Sequence, residues 1–300
     1  MLYEARWGIL KVDLPTLGRD HFVPKVHKDS VVHPTRSRGR IAVQPAEVRI
    51  IDTRDEPLKG AMMVVGFPTH GLVGSVASSY LVHSLDMSLI AYMISEDFPP
   101  TVIMEEGVVS APVRFYASRL VCGVDRSCDQ LVVVIADIQP PISTLNQLGR
   151  VLLDWAESKG VALVVAVEGQ PLESDIRGDA RVVAMANRAA APLLEKYRFE
   201  TANGVVTGLS GGLLLGAIGR GTPVLCLVAQ AHKDYPDARA AAKVIETINP
   251  LVPLLVLDTK PLREKAREIE AEVRKTLQQT RESMSSMRAA EPEGPGEMYR

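Results

Sequence analysis

Between residues 45 and 260 the apolar positions fall into two kinds of run. Short β-branched runs alternate with segments whose apolar residues recur at helical spacing. The first kind predicts strands over 48–51, 62–65, 89–95, 102–109, 113–117, 131–137, 162–167, 182–185, 223–228 and 254–257. The second predicts helices over 72–84, 144–158, 187–196, 210–220 and 236–247. The runs LVVVIAD, ALVVAV and VLCLVA are apolar throughout and do not alternate. Strands buried on both faces read this way, as in a parallel sheet covered by helices. The expected fold class is therefore α/β: a three-layer sandwich around a largely parallel mixed sheet. The consecutive strands between 88 and 117 predict an antiparallel or mixed edge.

The flanks follow different patterns. Residues 1–44 sustain no period. His21, His27 and His33 recur at a spacing that suits neither a helix face nor a strand face, and Arg36, Arg38 and Arg40 form a short basic cluster. The segment is expected to be a mobile N-terminal extension. Residues 261–287 open on Pro261, a residue suited to a helix's first turn. They carry a narrow stripe through Leu262, Ala266, Ile269, Val273, Thr276, Thr280 and Met287. That pattern predicts an amphipathic C-terminal helix about 40 Å long, packed along a neighbour or along its own domain. Residues 288–300, RAAEPEGPGEMYR, hold too many prolines and glycines for helix or strand and are expected to form a flexible tail.

Composition narrows the function classes. The chain has 300 residues, 46% hydrophobic and 23% charged, with a formal net charge of −2. That balance argues against a nucleic-acid partner, which calls for a basic excess. No apolar stretch is long enough for a membrane span, and MLYEARWGIL lacks the pattern of a secretory signal. A cytoplasmic protein is expected. Cys122 and Cys128 lie close together without a second pair or nearby histidines, which is no zinc pattern. With Cys226 they make an odd, scattered set, consistent with a reducing compartment. No metal or cofactor is expected.

Three places could carry chemistry. A Gly-rich loop, Gly66-Phe67-Pro68-Thr69-His70-Gly71 followed by Gly74, leads from a strand into a helix. Exposed N–H groups at such a helix start can bind an anion, but the spacing matches neither a P-loop nor GxGxxG. A structural role, turn formation and close helix–sheet contact, is the simpler reading, with His70 placed to face a ligand. Ser210, in Gly208-Leu209-Ser210-Gly211-Gly212, superficially matches a nucleophile elbow. Glycines at 212, 216 and 219 fit close helix packing better than catalysis. Asp137, Glu168 and Asp258 stand at or near the predicted C-terminal ends of strands, where α/β proteins bind ligands. Carboxylates there more often cap turns, and these three have no spacing that defines a metal site. No catalytic residue is expected.

The tail ends Met298-Tyr299-Arg300. A main-chain carboxylate offers a fixed negative charge to a lysine, and a tyrosine offers apolar area and a hydroxyl. A methionine fills an adaptable apolar pocket. Together they compose a plausible docking peptide captured by its C-terminus.

The segment MVVGFPTHGLVGSVASSYLV (63–82) resembles the opening motif of the proteasome assembly chaperone family, close to VVGFPGIGLVGSIAASYLI. The resemblance continues in FPP (98–100), in Gly107, Pro112, Arg114 and Tyr116, and in LLDWAESKG (152–160). It resumes in VVTGLSGGLLLGAIGRGTPVLCLVA (205–229) and PDARAAAKVIETI (236–248). It departs at Thr69-His70, and residues 1–44 have no counterpart. The resemblance implies a nucleoside-phosphorylase-like fold without enzymatic activity and a homo-oligomer of archaeal type. It also implies a C-terminal hydrophobic-tyrosine-X (HbYX) motif, at Met298, Tyr299 and Arg300, that inserts between α-subunits of the proteasome ring. Assembly chaperone and gate-opening activator both fit. A competing reading is a nucleoside phosphorylase or hydrolase relative using the loops near Gly66 and Gly208. A third is a scaffold whose tail binds another ring complex.

Overall fold

Apolar runs become strands here because both of their faces are covered. The computed structural model describes residues 47–264, except 106, 126, 172–178 and 234. Its main sheet has eight strands. In chain order, β1 is Val48–Asp52, β2 Met62–Gly66 and β3 Ser88–Ser95. A separate hairpin follows, β4 (Ile103–Glu105) and β5 (Val108–Ser110), then β6 (Val113–Ala117). A second small hairpin, β7 (Val121–Cys122) and β8 (Cys128–Asp129), precedes β9 (Leu131–Ala136). The last strands are β10 (Leu163–Pro171), β11 (Val182–Ala186) and β12 (Val224–Ala231). The order across the sheet is β1-β3-β6-β9-β2-β10-β12-β11. The four central strands, β9, β2, β10 and β12, pair in parallel, whereas β6, β3, β1 and β11 join antiparallel.

Among the described residues five α-helices supply the covering layers: α1 (Val73–Ser84), α2 (Leu145–Lys159), α3 (Ala191–Lys196), α4 (Gly208–Gly216) and α5 (Ala238–Ile248). Successive residues of a strand point to opposite faces, and the two helical layers divide them. Met63, Val65, Val132 and Val134 pack with α2 and α4, through Leu152 and Leu213 among others. Met62, Val64, Leu131 and Val133 pack with α1 and α5, through Leu81 and Ile245. Each fully buried valine or leucine contributes about 1.5–3 kcal/mol relative to exposure. That is why these positions of β2 and β9 are apolar. The expected α/β sandwich, with a mixed sheet that is parallel at its centre, is the observed architecture. The antiparallel wing expected from residues 88–117 is β3 and β6.

Helix α2 lies almost backbone-to-backbone on α4. A Cβ on Gly149 would stand 2.7 Å from the Gly212 carbonyl carbon, and one on Gly212 would stand 2.8 Å from the Leu145 oxygen. Gly212 therefore serves packing. Gly219 lies beyond the end of α4 with φ 80° and is not part of that stripe.

Several expectations are corrected. The strand expected over 102–109 breaks at Gly107, whose φ of 84° turns the chain into the β4–β5 hairpin. The helix expected over 210–220 ends at Gly216. Residues 254–257 form no strand: Leu254 donates its N–H to Asp129 at 2.7 Å, and Leu255 and Leu257 pack onto the layer of α1 and α5. Burial there is satisfied by a helical layer, so no strand partner is needed. Cys122 and Cys128 are not separate thiols. They are cross-strand partners in the β7–β8 hairpin and form a disulfide. The cysteines therefore give no support for a reducing compartment. A helical turn spans residues 260–264, and the remainder of the expected helix over 261–287 lies outside the described residues. So do the extension over 1–44 and the tail over 288–300.

Candidate functional site

The Gly-rich loop runs from the end of β2 through a 3-10 turn, His70–Leu72, into α1. A Cβ on Gly66 would overlap Ser78 Oγ and the Gly74 carbonyl, and one on Gly74 would stand 2.8 Å from the Phe67 oxygen. The strand end and the helix start thus cross at backbone contact. Gly71 and Leu72 both take left-handed backbone, with φ 60° and 46°. Leucine rarely adopts that conformation, so the tertiary contacts hold it. One of them is visible: the Gly71 carbonyl accepts the Asp237 N–H at 2.8 Å. Thr69 ties the same loop to β10, its hydroxyl accepting the Gly169 N–H at 2.9 Å.

These contacts open a cleft of about 720 Å³ at the C-terminal ends of β2, β9 and β10. Phe67, Pro68, Pro140, Pro141, Ile142 and Leu145 make apolar walls. Glu168 and Ser210 lie among the polar lining, and the exposed side chains of His70 and Lys233 stand at the rim. Ligands bind at this end of open α/β sheets because loops converge there while the strands hold them fixed.

Glu168 sits on β10 and Ser210 on the first turn of α4. The Ser210 hydroxyl donates to Glu168 Oε2 at 2.7 Å. Burial pushes the Glu168 carboxyl above its ordinary range, and the serine offsets that only in part. Among the described residues no lysine, arginine or histidine forms an ion pair with it. Cys226 lies fully buried nearby, and burial pushes its thiol up to about 12, with Ser210 opposing and the Glu168 charge reinforcing. It is an inert thiol at neutral pH. Ser210 is 3% exposed and spends its proton on Glu168. Among the described residues no histidine is hydrogen-bonded to it, so the elbow-like string does not assemble a nucleophile and base.

The other carboxylates singled out in the sequence go elsewhere. Asp137 pairs with Arg114 at 2.8 Å on the antiparallel wing. Asp258 follows no strand; its Oδ1 accepts the Lys260 N–H at 3.0 Å at the start of the terminal helical turn. Among the described residues no group of three or more His, Cys, Asp or Glu is placed to hold a metal ion, and no helix is long and apolar enough to cross a membrane. Gly66, Phe67, Pro68, Gly71 and Gly74 are brought together around the β2–α1 crossing. Met298, Tyr299 and Arg300 lie outside the described residues.

One residue escaped the sequence reading. Asp237 caps α5: its Oδ1 accepts Ala240 N–H at 2.9 Å, and its Oδ2 accepts His232 N–H at 3.0 Å. Arg239 adds a contact at 3.2 Å. The signal was present, since aspartate directly before an apolar helical run is a preferred N-cap.

Residues 63–277 match the PAC2 family. A crystal structure of PbaA from Pyrococcus furiosus, described as an archaeal homolog of proteasome-assembly chaperone, is similar at 27% identity with a TM-score of 0.66. The match covers 82% of this chain and 97% of that one. PbaB from the same organism, described as an archaeal proteasome activator, has the same fold. It is 24% identical with a TM-score of 0.66, over 77% of this chain and 98% of that one. An uncharacterised protein of Methanocaldococcus jannaschii is 24% identical over 82% of this chain and 97% of its own length. With more than half its length matched, this chain belongs to the PAC2 family.

Proposed function

We propose that this chain is a proteasome assembly factor that binds α-subunits of the core particle and docks through Met298-Tyr299-Arg300. The observation that carries the reading is the likeness to PbaA over nearly the whole of that protein, at 27% identity. The docking element rests on chemistry. Met298 and Tyr299 supply apolar area and a hydroxyl, and the C-terminal carboxylate supplies a charge at a fixed distance from both. Adding one residue after Arg300 would displace the carboxylate and leave every side chain in place. The protein acts in the cytoplasm, as a homo-oligomer whose several tails raise the apparent affinity by roughly 10²–10⁴ when they engage together.

It binds rather than catalyses: the close backbone contacts at Gly66, Gly74 and Gly212 give those glycines a packing role. The test is co-purification of recombinant proteasome α-subunits with the full chain and with a chain lacking residues 298–300. Capture by the full chain, lost on truncation, supports the reading. Equal capture would move recognition to the folded domain, and no capture by either would end the proteasome reading.

A further inference from the structure

We propose that the cleft beside Glu168 is a binding site for an organic amine, a cationic nitrogen on an apolar body, with the nitrogen paired to the Glu168 carboxylate and the body against the proline-rich wall. The proposal does not depend on the proteasome reading.

The first support is an unmet need. A carboxylate drawn out of water is ordinarily paired with a cation or several N–H donors. Glu168 has one hydroxyl partner, Ser210, on Oε2. Burial already works against its charge, and within the described residues nothing cationic compensates. Its carboxyl lines a cavity large enough for a small organic molecule, since about 720 Å³ lies inside the usual range of roughly 300–1,000 Å³.

The second support fixes the sign of the ligand's charge. Helix α4 starts at this cleft, and Thr207 provides no side-chain cap. That geometry by itself would favour an anion. However, Glu168 already faces the helix start: a Cβ on Gly208 would lie 3.9 Å from Glu168 Oε2. An anionic ligand would meet this like charge at close range, whereas a cation would neutralise it. Lys233 stands at the exposed rim, where solvent and salt weaken its repulsion of a cation.

The third support is the wall. Pro68, Pro140, Pro141 and Leu145 are apolar residues of the lining, and Ile142, which also lines the cleft, is 88% exposed. An isoleucine this open at a cavity mouth gains from covering. An amine with an aromatic or aliphatic body meets both requirements, and a strongly hydrated polyol or phosphate meets neither.

The test uses the full chain, methyl-labelled for NMR, with benzylamine as probe and benzyl alcohol as its neutral counterpart. Benzylamine should shift the methyl signals of Ile142, Leu145 and Leu213 saturably, and leave Ile245 on the opposite layer unmoved. Benzyl alcohol should bind at least tenfold more weakly. Glu168→Gln should erase that preference. If Glu168→Gln fails to fold, Thr207→Arg, at an exposed rim position, keeps the test open. Its guanidinium should occupy the carboxylate from within and block benzylamine. Equal binding of amine and alcohol, shifts centred on Ile245, no saturable shift, or undiminished amine preference in the variant that folds would each overturn the proposal.

Discussion

Asp237 and Glu168 stand near the same end of the sheet, yet they are provided for in opposite ways. Asp237 is 2% exposed and accepts two backbone N–H groups, with Arg239 beside it. It closes the start of α5 and anchors the loop that carries Gly71, because its own N–H donates to the Gly71 carbonyl. Glu168 has a single hydroxyl and faces open space. Asp237 caps a helix and Glu168 sits near the end of β10, and the donors around each carboxylate set them apart. A saturated carboxylate holds a fold together. A half-saturated one beside a cavity leaves interaction energy for something that arrives.

The largest effect should come from the saturated member. Asp237→Ala removes a helix cap and leaves the His232 and Ala240 N–H groups without their acceptor. We expect a loss on the order of 3 kcal/mol, read by chemical denaturation. A loss below 1 kcal/mol would mean that water replaces Asp237 and that the two sites differ less than their contacts suggest. Next comes the crossing that shapes the cleft. Gly66→Ala drives a methyl into Ser78 and the Gly74 carbonyl, and overpacking of this kind costs about 1–3 kcal/mol. A neutral Gly66→Ala would show that the β2–α1 loop moves freely, and that the cleft is not preformed.

A control lies outside both sites. Reducing the Cys122–Cys128 disulfide frees a short hairpin loop, for which the chain-entropy argument gives about 2 kcal/mol. Melting with and without reductant reads this directly, and a larger loss would mean that the hairpin supports the segment around Leu254.

The smallest effect, and one of opposite sign, belongs to Glu168. Its carboxyl is raised in the folded state by burial. A group raised in this way contributes stability that is fully present below its unfolded value, near the ordinary 4.5, and is lost as pH rises through the folded value. Glu168→Gln can still accept from Ser210 and carries no charge. At neutral pH it should therefore be as stable as the parent or slightly more so, and the gap should close as pH falls toward 4.5. A strongly destabilised Glu168→Gln at pH 7 would place Glu168 in the same class as Asp237 and remove the contrast.

Much of the fold was legible along the chain because burial on both faces leaves a mark that needs no partner to be read. LVVVIAD and VLCLVA became β9 and β12, and the helical periods became α1, α2 and α5. Legibility failed where the deciding contact is distant or conformational. The run over 102–109 has strand character throughout, and only the positive φ of Gly107 divides it. The run over 254–257 is apolar enough for a strand but finds a helical layer first. Cys122 and Cys128 pair because a hairpin places them opposite each other, which spacing alone does not say. In the cleft, Glu168 and Ser210 were each visible as single residues. Their hydrogen bond spans 42 positions, so no local pattern announces it. Asp237 could have been read from its place before the apolar run of α5.

The proposed function turns on the last three residues. The most direct measurement is the binding of purified proteasome α-subunits to the full chain, to Tyr299→Ala, and to a chain with one glycine added after Arg300. We predict a large loss of binding for both variants. Tyr299→Ala removes the ring and its hydroxyl, and the added glycine displaces the carboxylate while keeping Met298, Tyr299 and Arg300 intact. Arg300→Ala should be mild, because that position contributes mainly its backbone. Binding that survives both Tyr299→Ala and the added glycine would contradict docking through the tail and place recognition on the folded domain.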